Sequence, residues 1–232
     1  VHHKYDTNTA ILSGDVMLLL SYDYLFEVGN GKYFKKLFPV FNKIAIEVCE
    51  GQQYDMNFEK QEKVSVKEYL KMIELKTAAL LGGAIRLGAI VGGAKQRDAK
   101  LIEKFARSMG VAFQIQDDIL DSFGDPKKFG KKVGGDIAQN KKTILYLTAL
   151  KQSKGAQKKE LLGLYSNDNI EEKMKIKRVK EIFRDLKVVE TAQKYQSDFI
   201  DKAYQQLEKV DASKEKKEAL RSWAEQLVVR EV

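Results

Sequence analysis

Cysteine and proline are nearly missing from this chain of 232 residues. The lone Cys49 can form no internal disulfide and build no zinc cluster, so a reducing compartment, the cytoplasm, is the natural reading. Pro39 and Pro126 are the only prolines, and long Leu/Ala/Lys/Glu-rich stretches surround them. That pattern favours helices and excludes a turn-rich all-β fold. Histidine is limited to His2 and His3, which have no partner cluster and receive no role. Uncharged apolar runs long enough to cross a bilayer are absent, which argues against a transmembrane protein.

The composition that remains is 44% hydrophobic and 32% charged, a globular balance able to bury a substantial core. Lys and Arg number 41 against 33 Asp and Glu, a net charge of +8. A basic chain suits nucleic acid, an anionic membrane, an anionic small molecule or plain solubility, and sign alone does not choose.

Periodicity predicts a helix over 33–58, where Leu37, Phe41, Ile44 and Val48 form one apolar stripe. Ser65 and Glu68 have capping-box spacing and open a second helix. There Met72 or Ile73, Thr77, Leu80, Ala84, Leu87 and Val91 share a face, and Gly82 and Gly83 predict close helix packing. A third helix covers 97–122, followed by a glycine-rich segment over 123–142 and another helix from Thr143. Amphipathic helices follow over 157–165, 170–186, 188–210 and 213–229. In the third of these Ala192, Tyr195, Phe199, Ala203 and Leu207 form the buried stripe. Cys49 and Trp223 are assigned to the core. The fold class is all-α: a single-domain bundle of antiparallel helices with one core over 1–232.

The run Phe113-Gln114-Ile115-Gln116-Asp117-Asp118-Ile119-Leu120-Asp121 carries the most chemistry. On a helix Asp117 and Asp121 stack on one face, with Asp118 about 100° round. Hard oxygen ligands at this spacing suit magnesium shared with substrate phosphates, while a solvated acidic face has the same spacing. The next segment holds Lys127, Lys128, Lys131, Lys132, Lys141 and Lys142. Carboxylates that hold a cation, followed by mobile lysines, make a receptor for a polyphosphate. No P-loop spacing is present.

These residues resemble the trans-isoprenyl diphosphate synthases, or polyprenyl synthetases. Thr9 to Asp15 is similar to the helix after the family's first aspartate-rich region, and Gly51-Gln52-Gln53-Tyr54-Asp55 resembles its GQxxD motif. Lys76-Thr77 resembles its paired lysine and threonine, and Phe113-Gln114 with Asp117, Asp118 and Asp121 its second DDxxD motif. Gly130-Lys131 and Asn140-Lys141 resemble the lysine-bearing loop behind it.

The resemblance implies an isoprenoid synthase fold around a central substrate cavity, and a homodimer. It implies a Mg2+-dependent, head-to-tail condensation of isopentenyl diphosphate with an allylic diphosphate: dimethylallyl, geranyl or farnesyl. The product would be short-chain, farnesyl or geranylgeranyl. Asp117, Asp118 and Asp121 would hold the metal, and Lys76 and Lys131 would neutralise the diphosphate. Thr77 and Gln114 would stabilise the allylic cation, Lys141 would complete the closed site, and Gln52, Asp55 and Phe113 would contact substrate. The family's first aspartate-rich motif and its paired arginines would lie upstream of Val1, in a segment expected to belong to the polypeptide. Rival readings are a non-catalytic partner subunit or inactive fragment, a basic nucleic-acid binder and a terpene cyclase. No stable membrane insertion and no nucleic-acid partner are expected.

Overall fold

The computed structural model describes residues 1–125, 133–167 and 169–228, and among these residues there is no strand. The first half contains α1 (Thr7–Glu27), α2 (Phe34–Lys60), α3 (Val66–Ile73), a π-helical turn (Glu74–Ala78), α4 (Ala79–Val91) and α5 (Gln96–Phe123). After the short α6 (Gly135–Ala138) come α7 (Ile144–Gln152), α8 (Gly155–Ser166), α9 (Glu172–Asp185), α10 (Val188–Glu208) and α11 (Lys214–Val228). The helix start read at Ser65 holds, with Ser65 and Glu68 closing the capping box of α3, and Asp6, which the sequence reading did not single out, caps α1 through the Thr9 amide.

α5 is the axis. Its 28 residues pack on α10 along one side and on α4 and the π turn along the other. Two clusters are buried, where one core was expected. The larger gathers Tyr69, Met72, Ile115, Ile119, Ile144 and Phe183 around the middle of the chain. The smaller packs Phe105, Ala106 and Met109 against Ala203, Leu207 and Ala224, with Trp223 partly buried on it. Full burial of a Phe or Leu side chain stabilises by about 1.5–3 kcal/mol, and α5 contributes to both clusters. The stripe expected on α10 faces inward, with Ala192, Ala203 and Leu207 fully buried.

Three expectations are corrected. Cys49 is exposed on α2, away from the buried Leu37 and Ile44. The face assigned to 72–91 holds only at its start: Ala78, Ala79, Gly82 and Gly83 are buried, while Leu80 is 59% exposed. Backbone approach decides this. A Cβ on Gly82 would stand 2.5 Å from Arg107 Cγ, and one on Gly83 1.9 Å from Ile44 Cδ1, so the small-residue face meets α5 and α2. Finally, α1 is long and apolar enough by length and composition to cross a membrane, with mean hydropathy 1.2 and 6% of that stretch buried. Asp15 and Asp23 break the run without bringing its average below that level, so the exclusion drawn from uninterrupted runs does not hold.

Below the π turn, charges are paired rather than left alone. Arg86 and Arg107 both bond Glu103, at 2.7 and 3.1 Å, and Arg107 also bonds Glu47. This network ties α2, α4 and α5 together where water is largely excluded, so each charge needs its partner.

Candidate active site

A cavity of about 860 Å³ opens between α2, α3, the π turn, α5 and the α6–α7 segment. Asp55, Lys76, Thr77, Gln114, Asp117, Asp118, Asp121 and Lys141 all line it. Residues as far apart in sequence as Asp55 and Lys141 are therefore brought to one wall system. Gln52 and Phe113 do not line it: Gln52 is exposed on α2 and Phe113 is half-buried on α5. Lys131 lies outside the described residues.

The π turn sets the cationic side. Its wider winding is a form that recurs at functional sites, and here it carries Lys76 and Thr77. Glycines on both neighbours let the backbones close on it. A Cβ on Gly51 would fall 2.2 Å from the Lys76 amide nitrogen, and one on Gly110 2.8 Å from Ala78 Cα. Lys76 Nζ donates to Asp55 Oδ2 at 2.5 Å, so the GQQYD segment holds the lysine in the cavity. Thr77 Oγ1 donates to Gln114 Oε1 at 3.2 Å, and Gln114 Nε2 donates to Asp118 Oδ1 at 3.4 Å. The Gln114 amide is thus oriented from both ends.

The three aspartates have different surroundings. Asp118 is 4% exposed, and its Oδ2 accepts from the Tyr69 hydroxyl and from the Ile144 amide at 3.2 Å. Burial pushes its carboxyl up to about 7, against the Tyr69 and Ile144 bonds, which favour the ionised form. Burial likewise holds the Tyr69 phenol well above its usual range, so Tyr69 serves as donor. Asp117 and Asp121 are only half-buried. Burial raises Asp121, although the Asp136 amide donates to its Oδ2 at 3.0 Å.

Facing them, Lys141 Nζ bonds Asp136 Oδ1 at 2.8 Å. Burial works against the charge of Lys141, but the Asp136 carboxylate outweighs it and holds the ammonium above the ordinary lysine range. Lys142 turns inward and donates to the Phe58 carbonyl at 2.5 Å, and burial lowers it. Phe58, Met72 and Ile73 supply an apolar wall.

Magnesium fits this donor set. Among the described residues no cluster of three or more His, Cys, Asp or Glu forms a ready metal cage. Two carboxylates open to a cavity that also holds lysines suit an ion that keeps waters and shares substrate phosphates.

Sequence reasoning missed Tyr69, Phe58 and Asp136. Tyr69 carried a usable signal: it lies three and four residues before Met72 and Ile73, so its polar tip enters an apolar stripe and needs a partner. Asp136 carried none, because its bond to Asp121 exists only once the loop folds back.

The polyprenyl synthetase profile matches residues 1–185. A short chain isoprenyl diphosphate synthase of Methanocaldococcus jannaschii is 38% identical over 184 residues, 79% of this chain and 56% of that protein. Another, of Methanothermobacter thermautotrophicus, is 33% identical over 231 residues, 100% of this chain and 70% of its own length. A solved geranylgeranyl pyrophosphate synthase is similar at TM-score 0.92 and 40% identity, covering 100% of this chain and 72% of the other. The geranylgeranyl pyrophosphate synthetase of Pyrococcus horikoshii Ot3 is similar at 0.87 and 30%, covering 99% and 69%. The chain thus spans little more than half of the first of these relatives, and its architecture is the all-α isoprenoid synthase fold. By profile, identity and fold, the chain belongs to the polyprenyl synthetase family.

Proposed function

We propose that the protein is a trans-prenyl transferase that joins isopentenyl diphosphate head-to-tail to an allylic diphosphate, giving a short trans-prenyl diphosphate. The observation that carries this reading is the single cavity in which Asp117 and Asp121 stand with Lys76 and Lys141 beside an apolar wall. Asp117 and Asp121 would hold Mg2+, and Asp118, engaged by Tyr69, Ile144 and Gln114, would brace them from below. When bound, the ion supplies Lewis-acid help to a departing diphosphate.

The chain's own groups do the rest. Lys76 and Lys141 exchange their carboxylate partners for diphosphate oxygens, as Asp55 and Asp136 hold them poised. The allylic C–O bond breaks, and its electron pair leaves with the diphosphate. The Thr77 and Gln114 oxygens face the resulting cation. The double bond of isopentenyl diphosphate attacks, and the proton lost goes to the released diphosphate. Phe58, Met72 and Ile73 give the prenyl tail an apolar surface and keep water from the cation. Gln52 and Phe113 stand outside this cavity wall and take no direct part in these steps.

The protein works as one domain, a homodimer in the cytoplasm. Support for the dimer comes from α1, where Leu12, Val16, Met17, Leu19 and Tyr24 are 53–70% exposed, an apolar area that further polypeptide rather than water would cover. Support for the compartment is the single cysteine.

The test is incubation with Mg2+, isopentenyl diphosphate and each allylic diphosphate, with products identified by mass. A prenyl diphosphate five carbons longer than the allylic substrate is expected. Diphosphate binding with no elongation would favour the accessory-subunit reading.

A further inference from the structure

We propose that Lys175, on α9, is a positioning residue that clamps the 134–141 segment over Asp121 and so sets where Lys141 stands in the cavity. The consequence for diphosphate rests on the function proposed above; the clamp itself does not.

A lysine is seldom buried unless its ammonium is bonded. Lys175 is 5% exposed, and its Nζ donates to Asn140 Oδ1 and to the Ala138 carbonyl at 3.4 Å, 5.6 Å from the Tyr165 ring centroid. Asn140 has φ +57°, a left-handed backbone that few side chains adopt. One residue along α9, Ile176 meets the other end of the segment. Gly134 has φ +91°, and a Cβ there would stand 2.7 Å from Ile176 Cγ2. Helix α9 therefore grips both ends of a seven-residue stretch.

Between these grips lies Asp136, whose amide bonds Asp121 and whose carboxylate bonds Lys141. Lys141 also donates its amide to the Asp136 carbonyl at 2.9 Å. The chain of contacts runs Lys175, Asn140, Lys141, Asp136, Asp121, and Lys175 does not itself line the cavity. It acts through the loop.

Amide hydrogen exchange on the full chain tests this. In Lys175→Met, amides of 134–141 should exchange about tenfold faster while those of α5 and α10 keep their protection. Asn140→Gly, which keeps the left-handed backbone but loses the acceptor, should do the same, and Asn140→Asp should match the wild type. The double variant Lys175→Met/Asn140→Gly should be no faster than Lys175→Met alone, since that change already removes the Asn140 bond together with the Ala138 one. Titration with magnesium and inorganic pyrophosphate gives the second reading. Lys175→Met should bind about tenfold more weakly and Lys175→Arg within about threefold of wild type, as lost and retained donors predict.

Unchanged exchange in 134–141, or loosening spread evenly over α9 and the core, would overturn the clamp. If the wild type fails to bind magnesium pyrophosphate while the exchange effect is present, the clamp stands and the diphosphate reading falls.

Discussion

Gly51 lies against the backbone of Lys76: a Cβ at position 51 would come within 2.2 Å of the Lys76 amide nitrogen. Two motifs that are 25 positions apart in sequence are in this way one structural unit. The glycine lets α2 approach the π turn, and Asp55, one turn further along α2, receives the lysine that the turn presents.

Gly51→Ala should therefore act on the site through Lys76. The methyl forces α2 and the π turn apart, at a cost of about 1–3 kcal/mol in stability, typical of overpacking. The apparent KM for the allylic diphosphate should rise as Lys76 leaves its position. Denaturant titration and steady-state kinetics check both; a wild-type KM would show that the contact does not position Lys76.

The aspartates should separate by phenotype. Asp117→Ala should abolish magnesium-dependent condensation and leave helix content and melting near wild type, because Asp117 is half-exposed. Asp118→Ala should lower stability by about 1–3 kcal/mol, since it strands the Tyr69 hydroxyl and the Ile144 amide in a buried place. Equal stability losses in the two variants would contradict the division of roles.

Tyr69→Phe isolates one bond of that set. It removes the donor to Asp118 without changing the ring's packing among Met72 and Ile73. A loss of about 1–3 kcal/mol is expected in urea unfolding, with an unchanged m-value. A change below about 0.3 kcal/mol would remove Tyr69 from the brace.

Glu68 gives a pH signature at the start of α3. Hydrogen bonds from the Ser65 side chain and then the Ser65 amide hold its carboxyl below the usual carboxylate range. A carboxyl lowered in the folded state contributes stability above the usual range and loses it as pH falls through the folded value. The melting difference between wild type and Glu68→Ala should therefore be present at about pH 7 and shrink toward about pH 3. A constant difference across that interval would mean that the charge is irrelevant to the cap.

Much of the helix pattern was legible because apolar spacing and capping residues are local. Ser65 with Glu68 marked a real helix start, and Leu37 and Ile44 a real buried face. Gly82 and Gly83 were rightly read as a close helix approach, and they mark where α5 and α2 meet α4, but the apolar face drawn through Leu80, Ala84, Leu87 and Val91 did not follow them round the helix. Lys127, Lys128, Lys131 and Lys132 lie outside the described residues, while the three aspartates and Lys76 and Lys141 were visible as a set. Their division of labour was not, because the burial of Asp118 depends on Tyr69 and Ile144, far away in sequence. Lys175 was not singled out within the helix read over 170–186, because its burial follows from the loop it meets.

The most direct test of the central claim is an anomalous difference map from crystals grown with Mn2+ and an allylic diphosphate analogue. The account predicts a manganese peak beside the carboxylates of Asp117 and Asp121, shared with the diphosphate of the analogue. Diphosphate bound with no metal at these residues, or metal held elsewhere in the chain, would contradict it.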